Sequence, residues 1–527
     1  MPGSHAELIE EGTWRGFRLA RLNIYPLIRD ASGKTVLAQE IEVQIDFPLM
    51  ISPGRPAPVL ASERQVLKNF LNSEQSIWWR DNSKLKPQKA SKEFSLNVPY
   101  FRLKIRETGM YRINFRNIID AGGQPNTINP HLLQLYCRGV EQPLYFLGDA
   151  DTTFETGEEF WFWGERLSGA DGEWFHHETD FNVYQLIGDD NPGLRFQSRQ
   201  VQDDATAPTA PYFLQKAHFE TDLRYYHGDN DADIFTTARI PGEGWMWGIL
   251  SGTENLTTNL NLPGVLTTAP ECSLRARIRG ITKDPVKPNH HVQIFLNGQL
   301  VADAHFTDNA DVILRSVFPS SLLQDGSNEF RIFSAGDTPA TLDQFYFDWV
   351  EIDYWRDYDT AGKQLAFLPP ETANSGQFRY QITGLQDNEI FVLDLASGEV
   401  LTGFTVTTGG AGEFTVSFFD SLQTPHQYLA MTKSILKQPD QIALVNPSNR
   451  RDPGNRADMI IISHADFIEQ AQRLADYRRQ KNGFEISVVA VQEIYDEFLY
   501  GLESAQAIRF FLTHAFHNWQ QPAPQYV

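Results

Sequence analysis

The sequence predicts a multidomain protein, mainly β over most of its length and closing with the first part of a doubly wound α/β domain. Three observations predict it. The 527 residues exceed what one core can serve and call for roughly three to five domains at about 100 to 200 residues each. Hydrophobic residues make up 41%, aromatics 12% and charged residues 21%, the composition of folded, strand-rich material rather than of disorder. Finally, apart from a short helical stretch after Ser62, the apolar period is that of strands until Arg456, and it then alternates between unbroken apolar runs and helical spacing.

Residues 1–48 read as an N-terminal β unit: a strand from Phe17 to Pro26, a turn at Asp30-Ala31-Ser32-Gly33, then Ile41, Val43, Ile45 and Phe47 alternating with Glu42, Gln44 and Asp46. Pro48, Pro53, Pro56 and Pro58 open a linker over 49–93. It holds a short helix, Ser62 to about Arg80, with Val66, Leu67 and Phe70 inward, and ends in SKLKPQKASK at 83–92. A β-rich domain follows over 94–200, with the hairpin-like GMYRINF and the aromatic strand EEFWFWGERL.

Residues 208–356 suit a jelly-roll-like sandwich. Val292, Ile294 and Leu296 alternate before Asn297-Gly298, a strong hairpin signal. A second turn, Leu323 to Asn328, precedes EFRIF, and FYFDWVEIDYW closes the block. A small β domain over 363–436 contains NEIFVLDL and the turn Thr408 to Gly412.

The α/β portion spans 456–527. The run Ala457 to Ser463 is apolar without alternation, as in a parallel strand covered on both faces. Phe467, Ala471, Leu474 and Ala475 mark one helix face, Ser463 with Asp466 a variant capping box, and Asn482-Gly483 the left-handed stop. Phe484 to Val491 is the second strand; Ile508, Phe511, Leu512, Ala515 and Trp519 mark a second helix from near Ser504, and Gln525-Tyr526-Val527 enters a third strand. Such short links give right-handed crossovers and a parallel sheet.

The formal charge of -22 argues against nucleic acid and anionic membrane surfaces, since no basic patch could displace phosphate counterions. No run approaches the 18 or so apolar residues of a membrane span. The opening MPGSHAELIEEG lacks a signal peptide's basic and apolar regions. Cys137 and Cys272 are the two cysteines, too few for a disulfide framework or a zinc constellation, and both sit in strand-like apolar contexts that suit buried, inert thiols.

Several residues are site candidates, and each has a plainer role open to it. His464 follows the first strand of the α/β portion, on the edge where ligands collect, although a solvent-facing residue of the helix's first turn explains it as well. G-x-G-x-x-G is absent there, so a dinucleotide is not expected. Asp229, Asp231 and Asp233 open like a calcium loop, but Ile234 and Ile240 stand where Gly and Glu belong. Asp149 and Asp151, before Gly157-Glu158, read likewise as a solvated acidic turn. His176-His177-Glu178 and His290-His291 offer imidazoles, yet neighbours on a strand point to opposite faces and cannot grip one ion. Trp245-Met246-Trp247 could line a sugar-binding face or pack in the core.

The run from Ala457 to Val527 resembles the start of the gingipain-type (C25) cysteine peptidases, through ADMIIIS, LADYRRQKNG, IYDEF..G at Ile494 to Gly501 and AIRFFL at Ala507 to Leu512. ETGMYRINF, TDFNVYQL and FYFDWVEIDYWRD resemble the β-rich region that precedes the peptidase in large surface members, including the sortase-like branch of type IX secretion. The resemblance implies a caspase-like fold for 456–527 and a cysteine-type peptidase of protein or peptide substrates, at the cell surface or outside the cell.

In this family the catalytic His follows the third strand and the nucleophilic Cys the fourth. The catalytic residues are therefore expected beyond Val527, with the chain an N-terminal fragment that is inactive alone. None of Cys137, Cys272, His464 or His517 corresponds to them; His517 reads as a surface residue. No cofactor is required, calcium is admitted as a structural ion, and a secretion-system or surface-glycan partner is expected. The alternative is a non-catalytic surface protein whose sandwiches bind glycan or a protein; an intracellular scaffold is a third reading that the resemblance disfavours.

Overall fold

A computed structural model describes residues 6–14, 17–29, 35–43, 98–149, 151–169, 174–188, 190–226, 244–370, 376–422 and 426–527. The chain separates into two units, Met1–Phe94 with Asn230–Arg239, and Ser95–Asp229 with Ile240–Val527. The architecture is multidomain and β-rich, and among the described residues the longer helices lie near the C-terminus.

In the first unit, Phe17–Ile24 pairs antiparallel with Ala6–Trp14, and Leu27–Arg29 pairs with Thr35–Leu37. This corrects the expected pairing with residues 41–47: residues 41–43 form no strand, and 44–47 lie outside the described residues. A register shift between Glu10 and Gly12 breaks the alternation of the true partner, which hides that strand from a period-two reading. The expected helix from Ser62 to Arg80 also lies outside the described residues.

Much of the second unit is a stack of four sheets. The outermost runs in the order Gln441–Val445, Tyr100–Ile105, Asn182–Gly188, Leu133–Cys137 and Val140–Gln142. Leu103, Ile105, Leu135 and Leu186 project from it onto Tyr111, Ile113, Phe160 and Phe162 of the next sheet, built from Gly109–Asn114, Glu159–Gly164 and Tyr145–Leu147. GMYRINF is thus not half of a hairpin. Tyr100–Ile105 and Gly109–Asn114 turn their apolar residues toward one core, so the bend between them carries the chain from one sheet to the facing one.

The aromatic strand Glu159–Gly164 is buried on both faces. Its Trp161 enters a second core with Leu393, Leu429 and Met431. Those residues belong to a five-stranded sheet in which Gln197–Gln200 runs parallel to Glu399–Thr402. On its far side Tyr380, Ile382, Val416, Phe418 and Tyr428 form a third core with the sheet of Gly376–Leu385, Phe414–Leu422 and Thr405–Thr408.

Beside this stack stands the two-sheet sandwich. Its strand Gln344–Arg356 pairs with Phe213–Glu220, Gly248–Ser251 and Cys272–Gly280, and packs on the four-stranded sheet containing His290–Leu296 and Gly326–Ser334. Asn297 and Gly298 have φ of 47° and 79° and close the two-residue turn from Leu296 to Gln299, the left-handed pair that such hairpins demand.

A ladder of flat side chains joins sandwich and stack. The Arg166 guanidinium lies 3.4 Å from the Trp174 ring centroid, and Trp174 stacks on His218 at 4.2 Å. His218 is held by Glu220 (2.8 Å) and Glu351 (3.2 Å). Burial pulls the His218 pKa down, but the two carboxylates outweigh it and hold it above its ordinary 6.5.

The α/β portion has parallel strands Met459–Ser463 and Ile486–Ala490, with a parallel bridge from Tyr526 to Met459 on the other side. The helix Ile468–Asn482 stops at Gly483 (φ 69°) as expected. Its cap differs: Asp466 N–H donates to His464 Nδ1 (3.2 Å), not to Ser463, because a 3-10 turn over Ala465–Phe467 comes first. That turn also takes Phe467 off the helix face. Ala471 and Ala475 are buried while Phe467 and Leu474 remain 61% and 44% exposed. IYDEF belongs not to a turn but to an additional helix, Val491–Phe498, which buries Ile494 and Phe498 before the expected helix Ala505–Asn518.

This helical region docks on the outward face of the outermost sheet. Arg102 donates to both carboxylate oxygens of Asp496 at 2.7 Å, with the side chains 14% and 9% exposed, and Lys104 pairs with Glu503. Gly501 has φ +87°, and a Cβ there would meet Val183 Cγ1 at 2.9 Å, so only glycine fits. Arg450 binds Glu493 at 2.7 Å, and its N–H donates to Glu497.

Breaking a buried pair strands one charge, so Asp496→Ala lowers unfolding stability by about 3 kcal/mol in urea titrations. The His218 contribution has a sign set by its raised pKa: present in full below 6.5 and lost as pH rises through the raised value. Unfolding free energy measured upward from pH 6.5 falls accordingly, and His218→Phe removes that part of the slope.

Candidate functional site

The candidate site is the carboxyl edge of the α/β portion. A single parallel bridge sets Tyr526 beside Met459, with Ile486–Ala490 on the other flank, so the order in space is Tyr526, first strand, second strand. Chain connections therefore leave in opposite directions from the first strand, and its carboxyl end, Ser463-His464, faces the crevice where such folds bind ligands. His464 has a 60% exposed side chain that accepts the Asp466 N–H and lies 3.4 Å from the Asp466 carboxylate. It is a cap at the edge of the crevice rather than part of a nucleophile–base pair.

The sequence candidates are scattered rather than gathered there. Cys137 is buried in the outermost sheet with Sγ 3.7 Å from Asn182 Oδ1, and Cys272 is buried in the sandwich. Burial pushes both thiols up, which withholds the thiolate that attacks or ligates. His517 is an exposed last-turn helix residue. The triplet Asp229, Asp231 and Asp233 lies outside the described residues.

His176-His177-Glu178 docks the last helix. Glu178 Oε1 accepts the Ala505 N–H at 2.9 Å while Ser504 Oγ accepts that of Gln506 at 3.1 Å. Burial raises the Glu178 pKa, but hydrogen bonds from Ser504 and Ala505 and both imidazoles outweigh it and hold the carboxylate ionised. Two segments far apart in sequence thus share one helix cap.

His290 and His291 do face opposite sides of their strand. His290 is fully buried, with Nδ1 2.7 Å from Asp343 Oδ1, and serves the core. Asp149, Asp151 and Glu155 bring carboxylate oxygens within 4.8 Å of one another on an exposed loop. Glu158 braces that loop from below, accepting the N–H groups of Asp149 and Glu155 at 3.0 and 2.8 Å. An all-oxygen set of this kind suits a hard cation such as calcium. In the tryptophan run, Met246 is buried, Trp247 stacks on Phe347 at 5.2 Å, and Trp245 is 41% exposed beside Tyr225. A groove of about 500 Å³ on the sandwich is lined by Lys216, Ser273, Arg275, Arg315 and Asp353, and within it the Ser273 hydroxyl donates to Asp353 Oδ2 at 3.1 Å.

In the C-terminal portion, residues 452–527 match the model of peptidase family C25. Over a wider span the chain is similar to a solved structure, dimeric latent PorU from Porphyromonas gingivalis, at TM-score 0.56 and 17% identity, covering 81% of this chain and 40% of that one. At that identity the likeness is one of fold, and the chain spans well under half of the PorU chain. Slighter likenesses, at TM-scores of 0.15 and 0.17, join the chain to a sugar-binding EclA C-terminal domain (16% identity, 28% of this chain, 79% of that) and to a CBM36 carbohydrate-binding module with calcium and xylotriose (13%, 26% and 98%). These bear on no functional argument. No curated protein matches the chain.

The buried thiols carry a direct check. Cys137 and Cys272 stay unlabelled by a thiol reagent in the native chain, and both react once the chain is unfolded in guanidinium.

Proposed function

We propose that residues 1–527 are the N-terminal portion of a secreted or cell-surface bacterial cysteine peptidase of the gingipain type, on the sortase-like branch tied to type IX secretion. The observation that carries this reading is the coincidence of two likenesses: the C25 match falls on the α/β portion, and the fold is similar to that of PorU over 81% of the chain. The catalytic His and Cys are then encoded after Val527, on strands that follow the crevice at His464.

The reaction of the whole protein is acyl transfer from a protein or peptide. The thiolate sulfur bonds to the substrate carbonyl carbon, the peptide C–N bond breaks, and the His gives its proton to the departing amine. Water or a second amine then resolves the thioester; an amine makes the enzyme a sortase. The residues at hand hold the catalytic portion in place through Arg102–Asp496 and the shared cap at Ala505. In this reading calcium at the Asp149 loop is a structural ion.

The test is to sequence the gene past codon 527, express the longer product and assay it with a fluorogenic peptide. Turnover lost on Cys→Ala at the position after the fourth strand, with none from residues 1–527 alone, is the expected result. A frame that closes at once, or turnover indifferent to thiol alkylation, overturns the proposal.

A further inference from the structure

We propose that His291, Asp303 and His305 form a binding site for a late first-row divalent cation, zinc foremost, on the outward face of the sandwich. His290–Leu296 and Gln299–Phe306 are the two arms of the Asn297-Gly298 hairpin, and their register sets His291 opposite His305 and Gln293 opposite Asp303. Alternation sends Val292, Ile294 and Phe306 into the core and puts these four polar side chains on the other face.

The ligand atoms of His291, Asp303 and His305 all lie within 4.8 Å of one another. His291 Nε2 is 2.9 Å from Asp303 Oδ1, and the two imidazoles lie 3.9 Å apart between ring centroids. Tetrahedral zinc with bonds of about 2.0 to 2.1 Å holds its ligand atoms about 3.3 Å apart. The two rings are stacked at 14°, so closure about an ion asks that the exposed His305 ring leave the stack and aim a nitrogen at the gap beside buried His291, and that the 2.9 Å His291–Asp303 contact open slightly.

A second layer is already in place. His291 Nδ1 lies 2.6 Å from Asp337 Oδ1 on the far side of the ring, and Gln293 Nε2 donates to Asp303 Oδ2 at 2.9 Å. A carboxylate on the other ring nitrogen is what orients a metal-bound histidine and raises its basicity. Two imidazoles with one carboxylate select zinc, copper or nickel over calcium and magnesium. The fourth position opens to solvent. Gln299–Phe306 is the edge strand of its sheet, so an ion here ties the outermost strand to its neighbour.

The test uses the whole 527-residue chain, stripped with a chelator and titrated with zinc by calorimetry and with cobalt(II) by visible spectroscopy. One zinc per chain at this site and the d–d absorption of a four-coordinate cobalt ion are expected. His305→Ala and Asp303→Asn, both at exposed positions, lower zinc affinity by about 100-fold or more, and Gln293→Ala by about 10-fold. Zinc also raises the thermal midpoint of the wild type but not of His305→Ala. No binding by the folded wild type, or an affinity unchanged in His305→Ala, overturns the proposal, as does binding lost instead in Asp149→Ala.

Discussion

The pairing of Arg102 with Asp496 sets the terms on which the C-terminal portion joins the rest of the second unit. Alternation along Tyr100–Ile105 turns Leu103 and Ile105 into the core, so Arg102 and Lys104 must point away from it, onto a face that the stack alone would expose to water. Here that face is covered by the helix Val491–Phe498 and the turn after it. Covering charge with protein costs several kcal/mol per ion unless each finds its partner, and Asp496 and Glu503 are placed to provide it. A polar contact of this kind tolerates few orientations: Gly501 passes so close to Val183 that no side chain fits. The α/β portion is thus held at a fixed angle on the stack, and with it the carboxyl edge that ends at His464.

How much of this was legible in the sequence depended on whether the signal was local. The Asn297-Gly298 hairpin, the Gly483 helix stop, the helix start near Ser504 and the unbroken apolar run before Ser463 each rest on chemistry within a few residues, and each stands where the sequence placed it. The failures share a cause. A bulge between Glu10 and Gly12 erased the alternation of the first strand, and GMYRINF read as a hairpin because its true partner, Glu159–Gly164, is forty-odd residues on. The helix Val491–Phe498 passed for a turn because its eight residues show little more than one pair of buried positions.

The site was less legible than the fold for the same reason. Alternation along one strand puts His290 and His291 on opposite faces but does not say what stands across from them. His305 and Asp303 stand across from His291 and Gln293 through a register that the two-residue turn already implied; counting outward from Asn297-Gly298 would have found them. The role of Glu178 could not be found so, since its partner at Ala505 is separated from it by most of the chain. The peptidase reading rests on the likeness of residues 452–527 to family C25.

One strand has a consequence for how the chain is made. Gln441–Val445 forms the outer rung beside Tyr100–Ile105, more than three hundred residues after it. During synthesis Tyr100–Ile105 emerges early and waits with one row of backbone groups unpaired until the sandwich and the small β domain have followed. An open edge of that kind is a template for other strands, and closing it late makes the fold slow by topology. The outermost sheet is finished last although it begins first, and the α/β portion, which follows Gln441–Val445 directly, comes off the ribosome just as the platform it docks on becomes whole.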